Sequence, residues 1–409
     1  MNEKKFESVA MTKKHENWEH CIKREKNIDI KAGDVRTEFF RDYTRILHST
    51  AYRRLKNKTQ VFYAPSNDHI CTRIEHVGHV ASVSYIIAKT LGLNTELTNA
   101  IATGHDLGHA PFGHWGETIL CQIAENNSLE KFWHERNSLR FVDKIETLPN
   151  QHGKENNLNL TYAVRDGIVC HCGEKTQQCL KPRTNNIELY AIIKAGGMEA
   201  STWEGCVVKI SDKIAYLGRD IEDAYLYKIL SKAQLNQLAK LNNDVIEKQK
   251  SIEVNNTIII HKLIDDLCNN SSPDSGLIFS NEYFQMLNNV QDFCSNYIYK
   301  HPKIETYKKY IKLILKSIFS ELANNYDSMN TLKKLKLKEG FYPILVYYFT
   351  IWLQKYSDIN KRSNKNNVYE NEILYNLENE IEYKQAIIDF ISGMTDKFTI
   401  KIFNEIISF

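Results

Sequence analysis

The stretch "AIATGHDLGHAPFGHWGE", Ala100 to Glu117, holds His105, Asp106, His109, His114 and Glu117 within a short span. Adjacent residues on a helix point about 100° apart, so His105 and Asp106 reach one ion together only at a helix end or a sharp bend. Leu107-Gly108 and Pro111-Phe112-Gly113 supply such an end. An imidazole nitrogen beside a carboxylate oxygen suits a first-row divalent metal better than calcium or a thiolate-seeking ion. Past the turn, His114 and Glu117 are three apart and share a helical face. A carboxylate beside a histidine fixes its tautomer and raises its basicity, which makes a general acid/base unit. Taken alone, such a pair is more often a surface contact.

Two ligands need company. His76 lies in the preceding amphipathic segment and Asp212 in a later one, flanked by Val207, Val208, Ile210 and Ile214. A carboxylate among core residues requires a partner or an ion, because burying it alone is costly; the plainer alternative is that Asp212 faces solvent. Asp212, Tyr216 and Asp220 follow at i, i+4 and i+8 and so form one stripe. That stripe reads either as a substrate-facing surface or as an ordinary polar edge. The remaining histidines have no comparable neighbours, and His134 and His171 are ambiguous by themselves.

These residues must be carried by elements, and the pattern is helical. "TEFFRDYTRILHSTAYRRL" predicts one long helix, residues 73–91 a second, and Glu96 to His105 a third with Thr95 as its cap. Residues 203–229 form a further helix, and the chain after about 230 is helical with a polar break at "NKRSNKNN". "KNKTQVFYAPSNDH" and residues 145–160 read as loops. Convincing strands are few, so the fold class is all-α. The organisation expected is a variable segment over 1–34, a catalytic core over 35–230 and a helical C-terminal region over 231–409 packing on it.

The chain has 409 residues, of which 42% are hydrophobic and 25% charged, with a net charge of +3. That is a globular composition with no global nucleic-acid or membrane signal. The N-terminus carries no secretory pattern. The longest apolar run, "FYPILVYYFTIWL", falls short of the roughly 18 residues a membrane span needs and contains a proline, so it reads as a buried helix. The nine cysteines are odd in number and scattered, as free thiols in a reducing compartment would be. Cys170, Cys172 and Cys179 match no common zinc spacing. A cytoplasmic location is expected.

The order His76, His105-Asp106, Asp212 resembles the HD-domain superfamily. The flanks "RTEFFRDYTRILHSTAYRRLKNKTQVF", "TRIEHVGHV", "HDLGHAPFGHWGE", "SDKIAYLGRD" and "DFISGMTDKF" are similar to the dGTPase-type deoxynucleoside triphosphate triphosphohydrolases, from about Arg36 to Asp223 and again from about Tyr299 to Phe403. The resemblance implies an HD-domain helical bundle with a helical C-terminal extension. It implies hydrolysis of a dNTP, dGTP favoured, at the α-phosphorus to deoxynucleoside and triphosphate. It implies a divalent ion of the Mn2+, Mg2+ or Fe2+ class held by His76, His105, Asp106 and Asp212. His114 matches the catalytic histidine, Glu117 its carboxylate partner, and His134 in "WHERN" a further histidine of the site. Arg73 and Lys213 match phosphate-binding positions. Gln60, Tyr216 and Asp220 match residues that hold the deoxyribose, and His109 joins this substrate-binding group. Two departures stand out: Ala110-Pro111 replaces the family's usual proline pair, and Glu135 follows His134, as in the family's animal branch. Partners implied are the dNTP substrate, a regulatory dNTP or single-stranded DNA, and copies of the chain in a homo-oligomer from dimer to hexamer, with no membrane. Two rivals remain at this level: another HD-type phosphohydrolase, acting on nucleotides or cyclic dinucleotides, and a non-catalytic nucleotide-sensing HD protein.

Overall fold

The computed structural model describes residues 4–28, 33–63, 67, 69–172, 177–241, 256–359 and 368–408. The described chain is all-α. Its strands are two short antiparallel pairs, Thr147–Pro149 with Glu155–Asn157 and Cys179–Leu180 with Leu277–Ile278. The first pair lies inside the stretch read as a loop. Its turn is stitched by Asn150 and Lys154, an arrangement too short for a period-2 pattern to register. The polar run at 360–367 lies outside the described residues. None of the described helices is long and apolar enough to cross a membrane.

Two compact units share the chain. The first comprises Met1–Thr44, Glu75–His105 and Leu160–Thr306, and the second Arg45–Ile74, Asp106–Asn159 and Tyr307–Phe409. The chain therefore leaves one unit and enters the other between His105 and Asp106.

In the first unit, helices Thr95–Gly104, Tyr162–Val169 and Trp203–Leu226 pack against one another. Helix Trp203–Leu226 starts where the Thr202 side chain accepts the Gly205 N–H. It buries Val207, Val208, Ile210, Ile214 and Ala224, and each fully buried aliphatic side chain contributes about 1.5–3 kcal/mol. It ends at Leu226, three residues before the sequence pattern, because Lys228 turns left-handed at φ 54°. Helix Thr95–Gly104 is capped by Asn94, not Thr95: the Asn94 oxygen accepts from the N–H groups of both Glu96 and Leu97, leaving Thr95 inside the first turn. The N-terminal segment is tied in as well. Phe6 is fully buried against Trp203, and the Glu204 carboxylate accepts the Met11 and Asn94 N–H groups.

The predicted helix over "TEFFRDYTRILHSTAYRRL" is two helices, Glu38–His48 and Thr50–Arg54. Ser49 leaves the helical region at ψ 153° and caps the second piece by accepting the Tyr52 N–H. In the second unit, Glu146 accepts from the Thr50 N–H and hydroxyl at 2.8 Å and from Arg54 at 2.7 Å. Helix Pro343–Tyr356, from the longest apolar run, buries Leu345, Val346, Phe349 and Leu353 but leaves Tyr347 and Tyr348 exposed, so only one face is core. Asp389, on helix Glu380–Ser392, takes hydrogen bonds from Arg140 and from the Tyr375 hydroxyl.

Candidate active site

Within the first unit, three side chains from three helices converge. His76 comes from helix Arg73–Leu91, whose stripe of Val77, Val80, Ser84, Ile87, Ala88 and Leu91 is buried as its period requires. His105 stands at the C-terminal cap of helix Thr95–Gly104, and Asp212 sits in mid-helix on Trp203–Leu226. His76 Nε2 is 3.0 Å from Asp212 Oδ1, and His105 Nε2 is 3.9 Å from the same oxygen. One donor atom from each lies within 4.8 Å of the others. Asp212 is turned inward, with its side chain 13% exposed. Burial works to raise its carboxyl, but the His76 hydrogen bond and the charges of His76, His105 and His171 outweigh that and hold it below the usual range.

The donor set fits a divalent metal. His105 Nδ1 lies 2.7 Å from the Ala102 carbonyl, which only accepts, so Nδ1 donates there and Nε2 is the ring atom left to ligate an ion beside Asp212. His171 is oriented the same way by the Ile168 carbonyl, with its ring 4.9 Å from that of His105. Cys172 follows, its thiol 3.9 Å from Asp212 Oδ2. Sequence reasoning left His171 ambiguous; its signal was the run "CHC" at the end of helix Tyr162–Val169. The Cys170, Cys172 and Cys179 thiols form no metal-holding group with one another among the described residues.

The stripe below Asp212 is engaged by the same unit. The Tyr216 hydroxyl accepts from Gln291 at 3.0 Å, and the Tyr299 hydroxyl donates to Asp220 at 2.5 Å. Gln291 and Tyr299 were not legible in the sequence. Lys213 lines a small cavity with Lys209, Leu180, Phe279 and Leu287. Burial, then the charge of Lys209, lowers the Lys213 ammonium from its ordinary value.

The second unit holds the rest. Arg73, 1% exposed, donates to Asp106 at 2.5 Å, so a buried guanidinium faces the aspartate of the His-Asp pair. Gln60 is buried and its side-chain oxygen has no hydrogen-bond partner in the protein. The turn after Asp106 is built by close approach. A Cβ on Gly108 would sit 2.2 Å from the Ser138 nitrogen, and one on Gly113, at φ 63°, 2.9 Å from the Gln60 carbonyl oxygen. Phe112 also takes a left-handed conformation, held by its N–H to Asp396 at 2.8 Å. The other Asp396 oxygen accepts the Thr59 N–H at 2.8 Å. Lys58, 1% exposed, donates to the carbonyls of His109 and Ser392.

On this turn and helix Gly113–Asn126 stands a His-Glu-His arrangement. His114 Nδ1 is 3.2 Å from Glu117, and His134 Nδ1 is 3.1 Å from both Glu117 oxygens. Glu117 also accepts the His134 N–H at 2.9 Å, where helix His134–Arg140 begins and negative charge is favoured. Burial pushes the Glu117 carboxyl up, but the His134 charge and the hydrogen bonds from His114 and His134 outweigh it and hold it well below the usual range. The neighbouring Glu135 is pushed up by burial. His109 is fully buried, stacked on His134 at 4.6 Å, and burial followed by the charge of Arg73 keeps its imidazole neutral. His114 is the exposed member, 60% by side chain, as a residue meeting a ligand must be. An ionised carboxylate holding two imidazoles is equipped to accept and return protons.

This geometry, an all-α chain with buried His-Asp metal donors, is the kind of site an HD domain carries, and the HD domain family model matches residues 73–217. HD domains are generally metal-dependent phosphohydrolases, and the match makes this chain a hydrolase of the HD family. Three relatives are each named a deoxyguanosinetriphosphate triphosphohydrolase-like protein. The one from Caldanaerobacter subterraneus subsp. tengcongensis is 33% identical over 374 residues, covering 91% of this chain and 86% of its own. Those from Desulfatibacillum aliphaticivorans and Clostridium tetani are each 31% identical, over 91% of this chain and 88% and 86% of theirs. The chain belongs to the deoxyguanosinetriphosphate triphosphohydrolase-like family.

Proposed function

We propose that this chain hydrolyses a deoxynucleoside triphosphate, dGTP foremost, at the α-phosphorus, releasing deoxynucleoside and intact triphosphate. The observation that carries this reading is the convergence of His76, His105 and Asp212 donors within 4.8 Å, in a chain whose next residue after His105 is Asp106. These four residues hold the divalent ion, with Mn2+, Mg2+ and Fe2+ the candidates. When bound, the ion supplies Lewis-acid stabilisation of phosphoryl oxygens and lowers the pKa of water.

The chain's own groups do the rest. Arg73 and Lys213 neutralise phosphate charge, Arg73 as a planar fork and Lys213 as a point charge. His114, held by Glu117, moves a proton to or from the reacting oxygens, and His134 keeps the same carboxylate ionised. Gln60, whose buried side-chain oxygen has no protein partner, takes a hydroxyl of the sugar. His109 borders the substrate. Tyr216 and Asp220, braced by Gln291 and Tyr299, pack on the deoxyribose and reject a 2′-hydroxyl. A regulatory dNTP or single-stranded DNA, a homo-oligomeric assembly and a cytoplasmic setting complete the reading.

The test is anion-exchange product analysis with dGTP, dATP, dCTP, dTTP and GTP in Mn2+ or Mg2+, beside Asp212→Ala. Deoxynucleoside plus triphosphate, absent with the variant, is the expected result, with GTP turned over far more slowly than dGTP. Release of pyrophosphate or phosphate would transfer the chain to another HD-type phosphohydrolase class. Binding of dNTP without any turnover would favour the sensing role.

A further inference from the structure

The second unit contains a group that proton transfer does not explain in full. His109, His114, Glu117 and His134 each bring one donor atom to a place where all four lie within 4.8 Å of one another. His109 is completely buried, and neither of its ring nitrogens finds a hydrogen-bond partner in the protein. A buried polar group left without a partner is costly, so it calls for a ligand. The imidazole's neighbours on this side are themselves donor groups: the His134 ring at 4.6 Å and the His114 ring at 4.9 Å.

We propose that these four side chains form a second metal centre, selective for a zinc-class ion and distinct from the ion held around His76, His105 and Asp212. Three imidazole nitrogens and one carboxylate oxygen make a borderline-soft set of four, which suits tetrahedral Zn2+ or Co2+; Mg2+ and Ca2+ take oxygen-rich shells instead. For bonds of about 2.0–2.1 Å, the edges of such a tetrahedron are about 3.3 Å. His114 to Glu117 at 3.2 Å and His134 to Glu117 at 3.1 Å already have that length. The remaining pairs lie within 4.8 Å and close by small side-chain turns, most freely at the exposed His114. The protein supplies rigidity on the other members: Glu117 is fixed by the His134 N–H, and His109 by the turn that Lys58 and Asp396 hold.

An ion here takes the lone pairs of His114 and His134, so these imidazoles no longer carry protons. Zinc at this centre is therefore a brake, and that clause alone rests on the reaction proposed above. The binding claim is independent of it.

The test uses the full chain, stripped of metal and titrated with Co2+, read by bound-ion stoichiometry and by visible d–d absorption. Wild type is expected to bind two ions per chain, one with the intense bands of tetrahedral Co2+. Asp212→Ala is expected to keep those bands and lose the other ion. His109→Ala is expected to lose the bands and keep the other ion. Because His109 is buried, His114→Ala serves as the second variant, its side chain being exposed; it should weaken the tetrahedral site by about 100-fold or more. One ion per chain in wild type, or tetrahedral bands surviving in both His109→Ala and His114→Ala, would overturn the proposal. Neither result bears on dNTP turnover, so the two readings fail separately.

Discussion

Replacing Asp396 by Asn probes how the turn that carries His109 and leads into the His114 helix is held. Asp396 is fully buried; one of its oxygens accepts the Phe112 N–H and the other the Thr59 N–H, both at 2.8 Å. Asparagine keeps one acceptor and puts an NH2 group where the other stood. One backbone N–H then loses its partner, and the new NH2 faces a donor. Each buried unsatisfied group costs about 1–3 kcal/mol, so the pair costs about 2–6 kcal/mol. A further charge effect comes from Lys58, whose ammonium is pushed down to about 7, by burial first and the Arg54 charge second, against the favourable charge of Asp396. Without that charge Lys58 falls further. A lowered lysine pKa costs stability as pH falls from the unfolded value to the folded one, because the unfolded chain binds the proton more readily. Burial also pushes the wild-type Asp396 carboxyl up to about 6, so the folded wild type takes up a proton there that asparagine cannot, and the variant's deficit grows as pH falls from 8 to 6. At about 2–4 °C per kcal/mol for units of this size, the melting temperature should drop by about 4–24 °C at pH 8. Calorimetry at pH 8 and pH 6 measures the drop, and amide hydrogen exchange should show Phe112 and Thr59 losing protection first. A drop below about 2 °C, with both amides still protected, would refute the reasoning.

Further outcomes follow from the same geometry. Glu117→Gln should lower kcat by about 10²–10⁴-fold in steady-state dNTP hydrolysis, because the two imidazoles lose their ionised partner. Glu146→Gln should cost about 2–4 kcal/mol near neutral pH. Burial raises the wild-type carboxyl, but Arg54, the Ala51 N–H and Thr50 outweigh it, and its folded pKa is lowered. Its contribution is thus present above the unfolded value of about 4.3 and lost as pH falls through the lower folded one, so melting curves of variant and wild type should converge in acid. Gly108→Ala should reduce both stability and turnover, since its Cβ would overlap the Ser138 nitrogen at 2.2 Å; overpacking of this kind costs about 1–3 kcal/mol or more, read by urea titration.

What the sequence discloses here is what local chemistry writes down. The apolar stripe of residues 73–91 is a true helix because its period matches its burial, and Asp212 turns inward as its apolar flanks suggest. His105 at a helix end and His114 beside Glu117 follow from spacing alone. Long-range partners do not. Lys58 sits in "KNKTQVF", which reads as part of a loop, yet it is 1% exposed because two carbonyls distant in sequence receive it. Asp396, Tyr299, Gln291 and His171 earn their places through tertiary neighbours that no period records. Boundaries fail where one side chain decides them: Ser49 splits a continuous apolar pattern, and Asn94 takes the cap from Thr95 by having an oxygen placed for two N–H groups.

The central claim is attack at the α-phosphorus, and hydrolysis of dGTP in 18O-labelled water tests it most directly. The account predicts one 18O atom in the released triphosphate and none in the deoxyguanosine, with no label incorporated by Asp212→Ala. Label in the deoxyguanosine, or label in pyrophosphate or phosphate, would mean a different bond is broken and would contradict it.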